Sequence, residues 1–64
     1  MKRYKVKEII SMLEEDGWIQ ARTRGSHRQF THPLKGGTVT VNGKPSDTLE
    51  QFLLLSIAKQ AGWR

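Results

Sequence analysis

The chain contains no cysteine, little acidic charge and no long apolar run. Without cysteine, neither a disulfide framework nor a thiolate zinc site is available. The longest run of strongly apolar residues, 52–55, spans four positions, whereas a membrane-spanning helix needs about 20. No apolar segment of the signal-peptide type follows the basic N-terminus. We therefore expect a soluble, cytoplasmic protein that does not contact a membrane.

Length and charge narrow the class of protein further. The 64 residues form a single domain, residues 1–64, and a fold of this size buries only about 60% of the surface that the unfolded chain exposes. Such a fold has no room for a deep cavity, which disfavours enzymes that enclose a metabolite. The 11 lysines and arginines outnumber six acidic residues and give a net charge of +5. This excess favours a polyanionic partner, either a nucleic acid or an acidic protein.

Apolar spacing and glycine positions predict a helix at each end of the chain. The first helix is predicted over residues 5–16, where apolar residues recur on one helical face, and it should stop at Gly17. Asp47 as N-cap and Glu50 three residues later resemble a capping box. They predict that a last helix starts there and runs to about Ala61.

Between these helices, alternating side chains and turn residues predict three antiparallel strands. A tight hairpin loop that contains two glycines, residues 34–37, is expected between the second and third strands. The predicted fold class is α+β, with the order α-β-β-β-α and both helices on one face of the sheet. The strands are predicted at residues 18–23, 27–32 and 38–41.

Strand alternation assigns side chains to the two faces of this sheet. Phe30 should point into the core. Arg28 and His32 share its parity, whereas His27 lies on the open face, away from the helices. In the first strand, alternation separates Ile19, Ala21 and Thr23 on one face from Gln20, Arg22 and Arg24 on the other.

The residues around His27 suggest chemistry on a phosphodiester. His27 lies between Arg24 and Arg28 in sequence, and Arg22 precedes them. Histidine exchanges protons near neutral pH, and arginine binds phosphate through two hydrogen bonds. If the substrate is RNA, the 2′-hydroxyl is an internal nucleophile, so neither a metal nor another cofactor is needed. One histidine acting as base or acid contributes roughly 10²–10⁴-fold in rate.

Several motifs of the chain resemble those of the HicA toxin family, small bacterial mRNA interferases of type II toxin–antitoxin modules. The most specific is Gly-Ser-His-x-x-Phe-x-His-Pro, at residues 25–33. Arg28 stands where many members of the family carry a second histidine. Shorter segments also look like the family: Glu-Asp-Gly-Trp at 15–18, Ala-Arg-Thr-Arg at 21–24, Val-Thr-Val at 39–41 and Lys-Gln-Ala-Gly at 59–62.

The resemblance implies a fold like that of double-stranded-RNA-binding domains and ribosome-independent cleavage of mRNA by one essential histidine. It also implies neutralisation by a HicB-like antitoxin. His27 matches the essential histidine. Two alternatives to an endoribonuclease are a non-catalytic RNA-binding module of the same fold and a purely protein-binding domain. Five neighbours of His27 are expected to bind RNA or its phosphates: Arg22, Arg24, Gly25, Ser26 and Arg28.

His32 invites comparison with a two-histidine acid–base pair, but its parity places it on the face opposite His27. A histidine that is hydrogen-bonded at the strand end is favoured. No carboxylate lies between the two histidines, so a metal site is not expected. Trp18 is expected in the core rather than stacked on bases. The N-terminal cations Lys2, Arg3, Lys5 and Lys7 are either ordinary solvated charge or an attraction for RNA.

Apolar residues surround the last predicted helix instead of forming one stripe. Such a helix is usually buried on more than one side, and a domain this small offers only one side. We therefore expect Leu54 and Leu55 to bind a partner, either the antitoxin or a second copy of the chain. The alternative is that a few leucines are simply exposed.

Overall fold

A computed structural model describes residues 3–63, so Met1, Lys2 and Arg64, and with Lys2 one of the predicted N-terminal cations, lie outside the described residues. The strands form one antiparallel sheet in the order β1-β2-β3. The predicted α+β class and the α-β-β-β-α order are confirmed. The elements are α1 (Val6–Glu15), β1 (Ile19–Arg24), β2 (His27–Thr31), β3 (Val39–Asn42) and α2 (Gln51–Ala61).

Both helices cover one face of the sheet, and the core lies between them and β2 and β3. Phe30 of β2 is completely buried, and Trp18 is 2% exposed, which confirms its predicted place in the core. Every residue of β1 is exposed. The buried apolar cluster consists of Val6, Ile9, Leu13, Trp18, Phe30, Val39, Val41, Leu49, Ile57 and Ala61.

The start of α1 is fixed by a segment far along the chain. The first N–H groups of a helix lack partners within it. Here the Val6 N–H donates to the Asp47 carbonyl at 2.9 Å, and the Lys7 N–H donates to the Pro45 carbonyl at 3.1 Å. The Lys5 N–H donates to the Glu8 carboxylate at 2.9 Å. The segment before α2 therefore supplies hydrogen-bond acceptors for the first N–H groups of α1.

The predicted start of the last helix is wrong. Glu50 is the N-cap of α2, and Asp47 does not cap it. The Asp47 carboxylate instead accepts the Lys44 N–H at 2.9 Å and closes the preceding turn. An antiparallel bridge between Lys5 and Thr48 keeps the next residues extended. A helix cannot begin while its first residues are held in this bridge.

The connection between β2 and β3 is also longer than the predicted tight hairpin. It comprises residues 32–38, and it folds around the side chain of His32. The imidazole Nδ1 accepts the N–H groups of Leu34 and Lys35 at 3.0 and 3.2 Å. These bonds replace the direct turn that the glycines indicated.

β1 contains one extra residue where it pairs with β2. Gln20 lies opposite Phe30, and Arg22 lies opposite Gln29, so Ala21 between them has no opposite residue. This arrangement is a β-bulge, which exchanges the faces of the side chains that follow it.

The bulge overturns the predicted division of β1 into two faces. Ile19 lies opposite Thr31 and shares the open face with Arg22 and Arg24, although strict alternation separated Ile19 from the arginines. Trp18 and Arg22 are four residues apart and would share a face in a regular strand. The extra residue lets Trp18 enter the core while both arginines lie on the open face.

The rest of the domain covers α2 only partly. Ile57 is buried and Leu54 is half-buried, whereas Phe52 and Leu55 are 64% and 60% exposed. The helix ends at Ala61, as predicted, and is followed by the C-cap Gly62, whose φ of +75° is left-handed. Neither of the helices described within residues 3–63 has the length and hydropathy needed to cross a membrane.

Candidate active site

A two-residue turn brings the proposed catalytic histidine next to an arginine. Gly25 has a φ of +60°, which a glycine adopts readily as the first residue of a hairpin turn. Ser26 completes the turn, and Arg24 of β1 then lies directly opposite His27 of β2. Residues opposite each other in an antiparallel pair have Cβ atoms about 4.5–5.5 Å apart. His27 is therefore on the open face, as alternation predicts, with a guanidinium group beside it.

The open face is organised in rows that cross the sheet. Side chains from β1 and β2 line a shallow hollow of about 440 Å³. The lining residues are Arg22, Arg24, His27 and Gln29. The first row is Arg24–His27–Asn42, and the second is Arg22–Gln29–Thr40.

The hollow is electrostatically positive and unoccupied by the protein's own groups. Among residues 3–63, His27 has no hydrogen-bond or ion-pair partner, and neither Arg22 nor Arg24 has an acidic partner. No group of three or more metal-ligating side chains comes together in this part of the chain. The site can bind an anion through two guanidinium groups that flank an exposed imidazole.

Arg28 does not reach this hollow. It shares the face of Phe30, as alternation predicts, and it is half-buried. Its Nη1 donates to the carbonyl oxygen of Gly43 at 2.8 Å. Of the residues predicted to bind phosphate, Arg22 and Arg24 line the hollow, whereas Arg28 ties β2 to the turn after β3.

His32 is surrounded by partners. Its Nδ1 accepts two backbone N–H groups of the following loop, so Nδ1 carries no proton. Nε2 therefore carries the proton and donates to the Asp16 carbonyl at 2.7 Å. The ring also meets Trp18 edge-on, with centroids 5.2 Å apart. The predicted hydrogen-bonded position of His32 at the strand end is confirmed.

The Asp16 carboxylate joins distant parts of the chain beside His32. Its Oδ2 accepts hydrogen bonds from Lys35 Nζ at 2.7 Å, Trp18 Nε1 at 3.0 Å and Trp63 Nε1 at 3.1 Å. The hydrogen bond from Lys35, followed by that from Trp63, lowers the pKa of Asp16 below its usual value. Sequence reasoning missed this cluster, because no spacing relates residues so far apart.

The two leucines predicted to bind a partner have different environments. Leu54 packs against the core and lines a groove of about 560 Å³ between α1 and α2, together with Met12, Ala58 and Trp63. Leu55 points outward. The predicted partner-binding surface thus consists of Leu54, which lines the groove, and the exposed side chain of Leu55.

Sequence reasoning also left out two amides near His27. Gln29 follows His27 by two residues, so strand alternation places it on the same face. The pair Asn42-Gly43 is typical of a turn, yet Asn42 is the last residue of β3 and lies opposite His27.

These features define a class: a small, basic α-β-β-β-α domain with an exposed histidine in an arginine-lined hollow. Residues 6–63 match the family model described as HicA toxin of bacterial toxin–antitoxin, and the chain belongs to this family. A search among curated proteins gives no match. Membership makes the protein a toxin component of a toxin–antitoxin system, in which an antitoxin is its partner.

Proposed function

We propose that the toxin is a metal-independent, ribosome-independent endoribonuclease that cleaves mRNA in the cytoplasm through His27. The observation that carries this proposal is the exposed imidazole of His27, which has no partner within residues 3–63 and lies directly opposite Arg24, with Arg22 in the next row. A histidine kept for packing would have partners, as His32 has. A plain phosphate-binding surface would need the arginines but not an imidazole among them.

The chemistry follows from these side chains and the ribose. His27 takes the proton of the 2′-hydroxyl, and O2′ attacks the adjacent phosphorus. The bond from phosphorus to O5′ then breaks, and the leaving oxygen takes a proton from water. The hydroxide that remains takes the proton that His27 gained, which restores the neutral imidazole. The products are a 2′,3′-cyclic phosphate and a 5′-hydroxyl end. Arg22 and Arg24 offset the negative charge that develops on the phosphorane.

The hairpin turn supplies further proposed contacts. Gly25 and Ser26 are exposed at the end of the hollow, where their N–H groups and the Ser26 hydroxyl are available to phosphate oxygens. The predicted phosphate contact of Arg28 is not carried into this proposal, because its guanidinium is engaged by Gly43 on the other face.

The test compares purified wild type with His27→Ala on a structured mRNA in the presence of EDTA. We expect His27→Ala to lose about 10²–10⁴-fold in cleavage rate, with unchanged melting temperature and RNA binding. Thr31→Ala, an exposed change on the same strand and face, is the matched control and should cleave like wild type. Cleavage by His27→Ala at the wild-type rate would remove the catalytic role. Wild type that binds RNA without cutting it would identify a non-catalytic RNA-binding module.

We further propose that the partner is a HicB-like antitoxin that uses the apolar side of α2. Leu55 is 60% exposed beside the groove that Leu54 lines, and a net charge of +5 favours association with an acidic partner. Leu55→Lys should weaken the complex without loss of cleavage. Ser56→Lys adds the same charge about 100° away on the helix and serves as the control. Equal affinities of both variants and wild type would place the interface elsewhere.

A further inference from the structure

We propose that Gln29 determines the sequence preference of cleavage by binding the edge of a nucleobase next to the scissile phosphate. This inference rests on the proposed function. Gln29 follows His27 by two residues on the same strand and face, which separates the two Cα atoms by about 6.8 Å. A phosphate bound at His27 and Arg24 therefore leaves the adjoining nucleotide over Gln29.

The hydrogen-bonding capacity of Gln29 sets it apart from the arginines that line the hollow. A guanidinium group only donates, so it suits phosphate oxygens. A primary amide both donates and accepts, which is what discrimination between base edges requires. His27 has a comparable capacity, but it is committed to proton transfer. Single-stranded RNA is read by such contacts to the edges of unstacked bases.

The amide of Gln29 is also free to bind. Among residues 3–63 it makes no hydrogen bond. By contrast, Gln20 donates to the Thr23 hydroxyl, and Gln60 accepts the Thr40 N–H at 3.1 Å. Those two amides are already hydrogen-bonded to residues of β1 and β3, whereas the amide of Gln29 lines the hollow beside His27.

The dimensions of the hollow fit a single nucleotide unit. Its volume of about 440 Å³ is near the lower end of the roughly 300–1,000 Å³ typical of small-molecule sites. Gln29 lies between Arg22 of β1 on one side and Thr40 of β3 on the other, so its amide occupies the centre of the second row. A base that enters here meets the amide, while its phosphate meets the guanidinium groups.

The test maps cleavage sites in an RNA pool with randomised positions, for wild type, Gln29→Ala, Gln29→Glu and the control Thr31→Ala. Wild type should prefer particular bases at one position that flanks the cut. Gln29→Ala should flatten that preference by about fivefold or more, which corresponds to loss of ~1 kcal/mol of base discrimination. Gln29→Glu can only accept, so its preference should move toward bases that present amino groups, such as cytosine. Thr31→Ala should keep the wild-type pattern.

A second measurement keeps this inference separate from the proposed function. RNA from the same pool is selected for binding to His27→Ala, with and without Gln29→Ala, and the enriched bases are read by sequencing. If wild type cuts no RNA, the endonuclease proposal fails, yet a base preference in bound RNA that disappears with Gln29→Ala still supports base reading. An unchanged base pattern in both measurements, with all sites cut more slowly, would make Gln29 a phosphate contact and overturn the inference.

Discussion

The two histidines lie five positions apart, His27 at the start of β2 and His32 directly after its end, and their surroundings differ. His27 is exposed, makes no contact that satisfies its nitrogens within residues 3–63, and lies opposite Arg24. His32 is half-buried, uses both nitrogens in hydrogen bonds and packs against Trp18. One residue type thus serves two ends of the domain in two ways.

The difference shows how this small domain separates stability from chemistry. At the His32 end, both ring nitrogens make hydrogen bonds that hold the following loop and the Asp16 carbonyl in place. At the His27 end, no hydrogen bond within residues 3–63 engages the imidazole. The satisfied end holds the fold, which leaves the unsatisfied end available for a ligand.

The largest effects should come from exchanging each histidine for alanine. His27→Ala should lose cleavage but keep its stability. His32→Ala should lose about 2–3 kcal/mol, since three hydrogen bonds worth ~1 kcal/mol each disappear. For a domain of this size each kcal/mol shifts the melting temperature by about 4–8 °C. Thermal unfolding measures the stability, and the cleavage rate per folded molecule measures the activity. Loss of cleavage by fully folded His32→Ala would show that His32 also takes part in cleavage.

A smaller effect should separate two arginines that flank His27 in sequence. Arg24→Ala should weaken RNA binding and reduce the slope of log affinity against log salt by about one contact. Arg28→Ala should leave that slope unchanged and lower the melting temperature, because it removes the bond to Gly43. Binding titrations at several salt concentrations, with melting curves for each variant, measure the two effects. If the salt slope of Arg28→Ala is reduced as much as that of Arg24→Ala, Arg28 also contacts phosphate.

The smallest effect concerns acid at the His32 end. The pKa of Asp16 is lowered in the folded protein, chiefly by Lys35, so its carboxylate stabilises the fold above the unfolded-state value of about 3.8 and ceases to do so as the pH falls through the folded-state pKa. Asp16→Asn should therefore flatten the loss of stability in this acidic window. Glu14→Gln, which removes an exposed carboxylate in the last turn of α1 two residues before Asp16, is the control. Melting temperatures measured from pH 6 downward would contradict this if both variants follow wild type.

Periodic parts of the fold were predictable from sequence because each residue's role repeats. α1, the core position of Phe30 and the open-face position of His27 all follow from spacing that neighbouring residues reinforce. The end of α2 at Gly62 follows from the left-handed conformation that glycine adopts easily. The position of Arg24 directly opposite His27 depends on the two-residue turn between them, since such a turn leaves its flanking residues opposite each other.

The features that sequence reasoning missed depend on partners remote in the chain. Alternation cannot show that Ala21 is an unpaired residue until its partner strand is known. Asp47 is a residue type typical of helix N-caps, but the bridge between the next residue, Thr48, and Lys5 keeps this segment extended, so the helix starts later. The Gly43 carbonyl that accepts a hydrogen bond from Arg28, and the Asp16 carboxylate that accepts one from the Lys35 ammonium group, become neighbours of these residues only in the folded chain.

The hydrogen bonds between the start of α1 and the segment before α2 have a consequence for biosynthesis. Val6 and Lys7 are made early, but their partners at Asp47 and Pro45 are made about 40 residues later. At roughly 5–20 residues per second, translation takes about 2–8 s to produce them. Ile57, which closes the core, is made later still. The newly synthesised domain therefore cannot complete its fold until the chain has been made as far as Ile57, so no folded toxin exists for an antitoxin to bind before then.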